Sequence, residues 1–280
     1  MKNPHELRSA RPQFAEEPFH PTNSVRPSLH LTTNEEQMDS SADYRSTAAA
    51  RPRPLQKGAL LRAIAAIVWK DVAAEVRSRE LISAMLVFAL LVILIFNFAL
   101  ELDAQARASV TSGVLWVIFA FAGTLGLNRS MAMEKDRGCL DGLLLAPVDR
   151  SAIYFGKAIG NLVFMLVVEI IVLPVYSLLY NVNLFQPGLV IVILLGSIGY
   201  VAVGTLLSTM AVQTRSRDLL LPILLFPLVI PILIAAVKAS GGFLSGAELS
   251  EIMPWLNLLL VYDVVFTAIA FMVYDSVVEE

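Results

Sequence analysis

Two carboxylates stand alone in long apolar runs. Glu169 lies near the middle of the run 158–180, and Asp263 near the middle of 255–273. They are the only acidic or basic side chains inside any of six such runs. An ionised carboxylate is costly in hydrocarbon, so each should be protonated, hydrogen-bonded or facing a wet cavity. No Lys or Arg lies at the same depth to pair with them. Two chemistries fit: a substrate path or proton site, and inter-helix hydrogen bonding to groups such as Asn97, Tyr200 or Tyr262. Lone carboxylates without an oriented nucleophile or metal do not make an intramembrane protease, so the set of catalytic residues is empty.

A second feature is 128–157, NRSMAMEKDRGCLDGLLLAPVDRSAIYFGK, which reads as a long cytoplasmic loop. Charged residues (Glu134, Lys135, Asp136, Arg137, Asp141) precede an apolar run, Leu143, Leu144 and Leu145, and then Pro147. Such a segment can dock in a groove of a partner protein, or its leucines can tuck under a helix bundle. Asp149 or Ser151 is placed to cap the helix that follows. A third feature is proline. Pro222, Pro227 and Pro231 fall within one apolar run and Pro174 within another; each removes a helix hydrogen bond and is expected to kink the axis. Gly196, Gly199 and Gly204 allow close helix approach, inside a bundle or across a dimer.

Some chemistry is missing. The chain has no GxxxxGK[ST] phosphate loop, so if it serves an ATP-driven process the ATPase is another chain. Its one cysteine, Cys139, can form no internal disulfide, and no CxxC or CxxCH occurs. His5, His20 and His30 all precede residue 57, which leaves the apolar part without imidazole for haem iron or zinc, and no metal site is expected. No basic stripe suggests nucleic acid.

The elements that must position these residues follow from composition. Of 280 residues, 56% are hydrophobic and 16% charged, against about 25% charged in a soluble domain. Residues 1–56 hold half of the prolines with many Ser, Thr, Glu and Arg, and show no apolar periodicity. They read as a disordered cytoplasmic tail, or as the product of a start site upstream of the true one, with Met38 an internal candidate; the rival reading is a regulatory docking segment. Residues 57–280 read as one membrane domain. Runs at 82–100, 110–127, 158–180, 188–212, 219–237 and 255–273 are long enough to cross about 30 Å of hydrocarbon as helices. Twelve Lys and Arg flank them on one side and two, Arg107 and Lys238, on the other. This asymmetry predicts cytoplasmic N- and C-termini. The outer segment 238–254 has room for a short helix. Before the first run, Leu60, Ile64, Val68, Val72 and Val76 recur every four residues, with Arg62, Lys70, Glu75, Arg77 and Arg79 on other faces and Trp69 among them. This is an amphipathic helix expected to lie on the membrane surface, on a partner protein, or on both.

The stretch EKDRGCLDGLLLAPVDRSAIYFGK, followed by NLVFMLVVEIIVLPVYSLLY, resembles the CcmB permeases, the haem exporter protein B family. So do LLLPILLFPLVIPILIAAVKAS and IVWKDVAAEVRSRELISAMLVFALLV, and the similarity covers about residues 60–275. The resemblance implies an all-α integral membrane permease of the type 2 ABC exporter kind, an amphipathic interfacial helix followed by six transmembrane helices, in the plasma (inner) membrane. It further implies a CcmA-like ATPase partner, a role in cytochrome c maturation beside a CcmC-like haem-handling protein and the haem chaperone CcmE, and haem as a substrate rather than a cofactor. Two ATPase subunits would pair with a permease homodimer, or with one copy and a different permease. Within the matching stretch, Glu134, Asp136, Asp141, Gly142, Leu143, Leu144 and Pro147 fall where the family is expected to couple to the ATPase; Asp141 stands where Glu is usual. Rival readings are a type 2 exporter for lipid, glycan or drug, and a scaffold that holds a haem-delivery complex without moving a substrate.

Overall fold

The computed structural model describes residues 57–99, 104–136, 150–212, 214 and 217–278. Among them the chain is all α-helix, with seven helices: α1 Lys57–Ser78, α2 Glu80–Ala99, α3 Ala104–Asp136, α4 Arg150–Tyr180, α5 Pro187–Val212, α6 Arg217–Ser245 and α7 Leu249–Val278. Six are long and apolar enough to cross a membrane, with spans of 20 to 31 residues. At 1.5 Å per residue the shortest, α2, still covers about 30 Å.

α3 and α5 form the interior. α5 packs against α3, α4, α6 and α7, and α3 also packs against α2, α4 and α6. α2, α6 and α7 carry many large apolar side chains on the outside, among them Val87, Phe98, Ile223, Val264 and Met272. In lipid these need no cover, because tails and leucines are equally apolar. Close approach and polar bonds must therefore hold the helices together. Gly196 of α5 shows the first. A Cβ there would run into the ring of Trp116 on α3, which is itself fixed by its indole N–H donating to Ser240 Oγ on α6 at 2.9 Å. Several bonds reach α5 from its neighbours. Tyr200 Oη lies 2.6 Å from Thr124 Oγ1 and donates to the Ala120 carbonyl at 2.5 Å, both on α3. From α4, the Tyr154 hydroxyl donates to the Ala202 carbonyl at 3.1 Å and Asn161 Nδ2 to Thr205 Oγ1 at 3.1 Å.

The helices outrun the apolar segments that announce them. α3 continues through Asp136, so residues 128–136 are helix rather than loop. α4 starts at Arg150 and takes in Lys157. On the opposite side α6 runs to Ser245 and α7 begins at Leu249, so most of 238–254 extends two spans, with the turn at Gly246 (φ 70°). Pro174, Pro222, Pro227 and Pro231 lie inside unbroken helices, and so does Pro254, near the start of α7. The phenol of Tyr262 donates to the Leu228 carbonyl at 2.8 Å, three residues before Pro231.

Candidate functional site

The polar site of this molecule lies where α1, the end of α3 and the start of α4 meet. α1 is seated on α4 by small residues at matched spacing. Ile67 and Asp71 of α1 face Gly156 and Gly160 of α4; a Cβ on Gly156 would lie 2.8 Å from Ile67 Cβ, and one on Gly160 would lie 3.4 Å from Asp71 Oδ2. Ile67 is buried there with Ile153, Tyr154 and Tyr274. On its far side α1 exposes Leu61, Trp69 and Val76, as expected for a helix lying against lipid.

The close seat brings four charges together. Glu134 Oε1 accepts from Lys70 Nζ of α1 at 2.5 Å and lies 2.5 Å from Lys157 Nζ of α4. Lys157 also reaches Asp71 Oδ2 at 2.8 Å, and Lys70 lies 3.2 Å from Asp71 Oδ1. The Lys157 side chain is 1% exposed, those of Glu134 and Asp71 10%, and that of Lys70 41%. Two cations and two carboxylates thus compensate each other in a largely dry setting, which is what makes their burial tolerable. Burial pulls the Lys70 ammonium down, but the hydrogen bond and charge of Glu134, helped by Asp71, outweigh it and leave its pKa above the ordinary lysine value. Beside the network is a cavity of about 130 Å³ lined by Lys70, Glu75, Ser130, Glu134 and Lys157. Glu75 is buried at its edge and caps α2, accepting from the Ile82 N–H at 2.8 Å across the one-residue corner at Arg79 (φ 54°).

Further bonds tie the remaining helix ends together on this side of the bundle. Lys135 Nζ donates to the Val212 carbonyl at 2.6 Å, capping the C-terminus of α5. Asn128 Nδ2 donates to Asp218 Oδ1 at 2.9 Å, and Arg129 pairs with Glu80.

The two intramembrane carboxylates approach α5 from different helices. Glu169 of α4 accepts from Ser197 Oγ of α5 at 2.5 Å, and its second oxygen has no protein partner. Asp263 of α7 is 7% exposed, and neither of its oxygens has a partner. It occupies the space that a side chain on Gly199 of α5 would need. Asn97, Tyr200 and Tyr262 do not serve these carboxylates: Tyr200 and Tyr262 spend their hydroxyls on backbone carbonyls, and Ser197 is the partner actually used.

Of the residues singled out in the stretch 134–147, Asp136 is exposed at the end of α3. Glu134 faces inward. Asp141, Gly142, Leu143, Leu144 and Pro147 lie outside the described residues. Lys157, Lys70 and Asp71 were not singled out as site residues. The signal for them was GxxxG spacing at Gly156 and Gly160 with a lysine inside it.

Residues 62–279 match the profile of the CcmB protein family. The chain belongs to the CcmB family. It is a multi-pass membrane permease. Three proteins named Heme exporter protein B are similar to it. That of Rhodobacter capsulatus is 28% identical over 172 residues, 60% of this chain and 78% of the relative. That of Pseudomonas aeruginosa is 25% identical over 195 residues (69% and 87%), and that of Bradyrhizobium diazoefficiens 27% over 189 (66% and 84%). In this CcmB-family chain the match begins within α1 and ends in the last residues, so the surface helix and its ion network fall inside the family domain and residues 1–56 outside it.

Proposed function

We propose that this chain is the permease subunit of a haem-export ABC transporter that serves cytochrome c maturation in the inner membrane, with both termini cytoplasmic. The observation that carries the reading is the family match over the entire six-span domain. The chain lacks a phosphate-binding loop, so ATP hydrolysis belongs to a separate CcmA-like subunit. That subunit docks on the stretch 134–147, the end of α3 and the residues that follow it, with Asp136 and Asp141 among the charges it meets. A CcmC-like haem-handling protein and the haem chaperone CcmE complete the assembly. Glu134 faces Lys70 and Lys157, so charge reversal there tests the fold as much as the docking. Asp136→Lys with Asp141→Lys leaves Glu134 in place: the folded variant should lose the ATPase on purification, and full retention would exclude this docking face.

Haem enters the reading as cargo. Residues 57–280 contain no histidine, which favours a second form of the same function, in which ATP drives release of the haem-loaded chaperone. In either form Glu169 and Asp263 are the groups whose partners change as α5 moves: each keeps an unpartnered oxygen at a helix interface beside α5. The deciding experiment is a haem stain of c-type cytochromes in a strain lacking this chain, complemented by residues 57–280. Loss of covalently bound haem, restored by the short form, is the expected result. Normal staining without the chain would overturn the reading in favour of a general exporter of lipid, glycan or drug.

A further inference from the structure

We infer that Lys70, Asp71, Glu134 and Lys157 are positioning residues that form the joint through which movement at the ATPase face enters the bundle, with α1, the end of α3 and the start of α4 moving as one body. This rests on the segment between α3 and α4 being the docking face. Glu134 is two residues from the end of α3, Lys157 is in the second turn of α4, and Lys70 and Asp71 belong to α1. The network thus joins both helices that hold the docking segment to a third that does not. Buried ion pairs are a poor way to gain stability, since apolar side chains of the same volume often serve as well or better. What these pairs add is a fixed register, set by four contacts of 2.5 to 3.2 Å. The seat tightens that register: the side chains of Ile67 and Asp71 sit directly over Gly156 and Gly160, which have no side chain to hold the helices apart. The opposite face of α1 packs against no other helix of this chain, with Leu61, Trp69 and Val76 exposed. The helix is therefore held by protein on one side only and follows whatever α3 and α4 do.

The test uses the whole transporter in the native host, with three readouts: ATPase copurifying with the chain, ATP hydrolysed by the complex, and haem-loaded cytochrome c. Lys157→Met and Glu134→Gln should accumulate in the membrane, keep the ATPase bound and hydrolyse ATP, yet lower cytochrome c at least tenfold. Lys157→Arg should restore most of it. A merely structural role would lower all three readouts in proportion to the folded protein and would overturn the joint. So would wild-type cytochrome levels in either variant. A second measurement stands if those variants do not fold. In a Cys139→Ser background, Ile67→Cys with Gly156→Cys is linked by the added thiol oxidant diamide, which takes up the two electrons and two protons as the disulfide forms, the Cβ separation opening from 2.8 Å to the disulfide range of about 3.5–4.5 Å. The linked protein should support at least half of wild-type cytochrome c, with or without reductant, each single-cysteine form serving as control. Activity lost on linking and regained with dithiothreitol would show that the helices separate, and the joint would be wrong. Failure of the docking segment itself reads out differently, as ATPase retained in Asp136→Lys/Asp141→Lys.

Discussion

Replacing Lys157 by Met removes one cation from a buried four-charge network and keeps the length of the stem. Glu134 and Asp71 then share Lys70 alone, at 2.5 and 3.2 Å. Removing one partner of a buried pair typically costs about 3–5 kcal/mol, because a desolvated charge is left uncompensated. Lys70 still reaches both carboxylates, and its side chain is 41% exposed to water, so the expected loss is at the low end, about 3 kcal/mol. For a domain of this size that corresponds to roughly 6–12 °C in Tm. Lys70→Met should be milder, about 1 kcal/mol, since water can replace a half-exposed ammonium.

The assay is thermal unfolding of the detergent-purified chain, followed by the fraction that stays monodisperse after heating. The double variant Lys157→Met/Glu134→Met leaves Lys70 facing Asp71 as a one-to-one pair. It should recover about 2 kcal/mol relative to the sum of the single changes, a size normal for residues in direct contact. Sign and pH window also follow. The Lys70 pKa is raised, so its contribution is fully present below the ordinary value of 10.5 and is lost only as pH rises through the higher folded value. The gap between wild type and Lys70→Met should therefore be constant from neutral pH to about pH 10 and shrink above it. If Lys157→Met melts within about 1 °C of wild type, or if Lys70→Met is the more damaging change, the network is not the buried, mutually compensating unit described here.

Two further outcomes are expected. Gly196→Ala drives a methyl group into the Trp116 ring and should destabilise the bundle by about 1–3 kcal/mol, with Trp116→Phe in the same chain relieving part of the loss; equal melting of wild type and Gly196→Ala would refute the close approach of α3 and α5. Glu169→Gln with Asp263→Asn keeps shape while removing both carboxylates, and should yield a folded, ATPase-bound complex that no longer matures cytochrome c. Normal cytochrome levels in that pair would assign both groups to static helix packing.

The six spans and the surface helix were legible because apolar runs of membrane length and a four-residue repeat are properties of composition alone. Their ends were not. Residues 128–136 carry Asn, Arg, Ser, Glu, Lys and Asp, which read as loop. They are helix because their charges find partners on neighbouring helix ends: Asn128 with Asp218, Arg129 with Glu80, Lys135 with the Val212 carbonyl. The segment 238–254 read as an outer loop with room for a short helix, yet α6 runs on through Gly241 and Gly242 to Ser245. Gly242 is a packing residue, since a Cβ there would stand 2.7 Å from Ile252 Cγ1 of α7. Lys157 counted as one more basic residue flanking a span. Its partners lie 86 and 23 positions away in sequence, on α1 and α3, and no local pattern announces them. Glu134 was legible as a charge in the right segment, but its inward direction depends on α1 folding back over α4.

The two kinds of buried charge in this chain differ in a way that bears on mechanism. At the end of the bundle beside the proposed docking segment, Glu134 and Asp71 both meet Lys70 and Lys157, and the pairing crosses three helices, with Glu134 Oε2 left without a partner. Such a network resists any displacement of one helix relative to the others, because each displacement exposes a desolvated charge. Beside α5 the carboxylates are not matched: Glu169 uses one oxygen on Ser197, and Asp263 uses neither. Orphaned polar atoms at a helix interface lower the cost of rearrangement, since a new partner gained in a second arrangement offsets what is lost from the first. A permease driven from one end needs this division. The part that receives the movement has to be stiff, and the part that changes access has to have two arrangements of similar free energy. In this molecule, the cation-paired carboxylates lie where α1, α3 and α4 meet, and the two buried carboxylates that meet no cation lie against α5, the helix that touches four of the other five spans or their flanks.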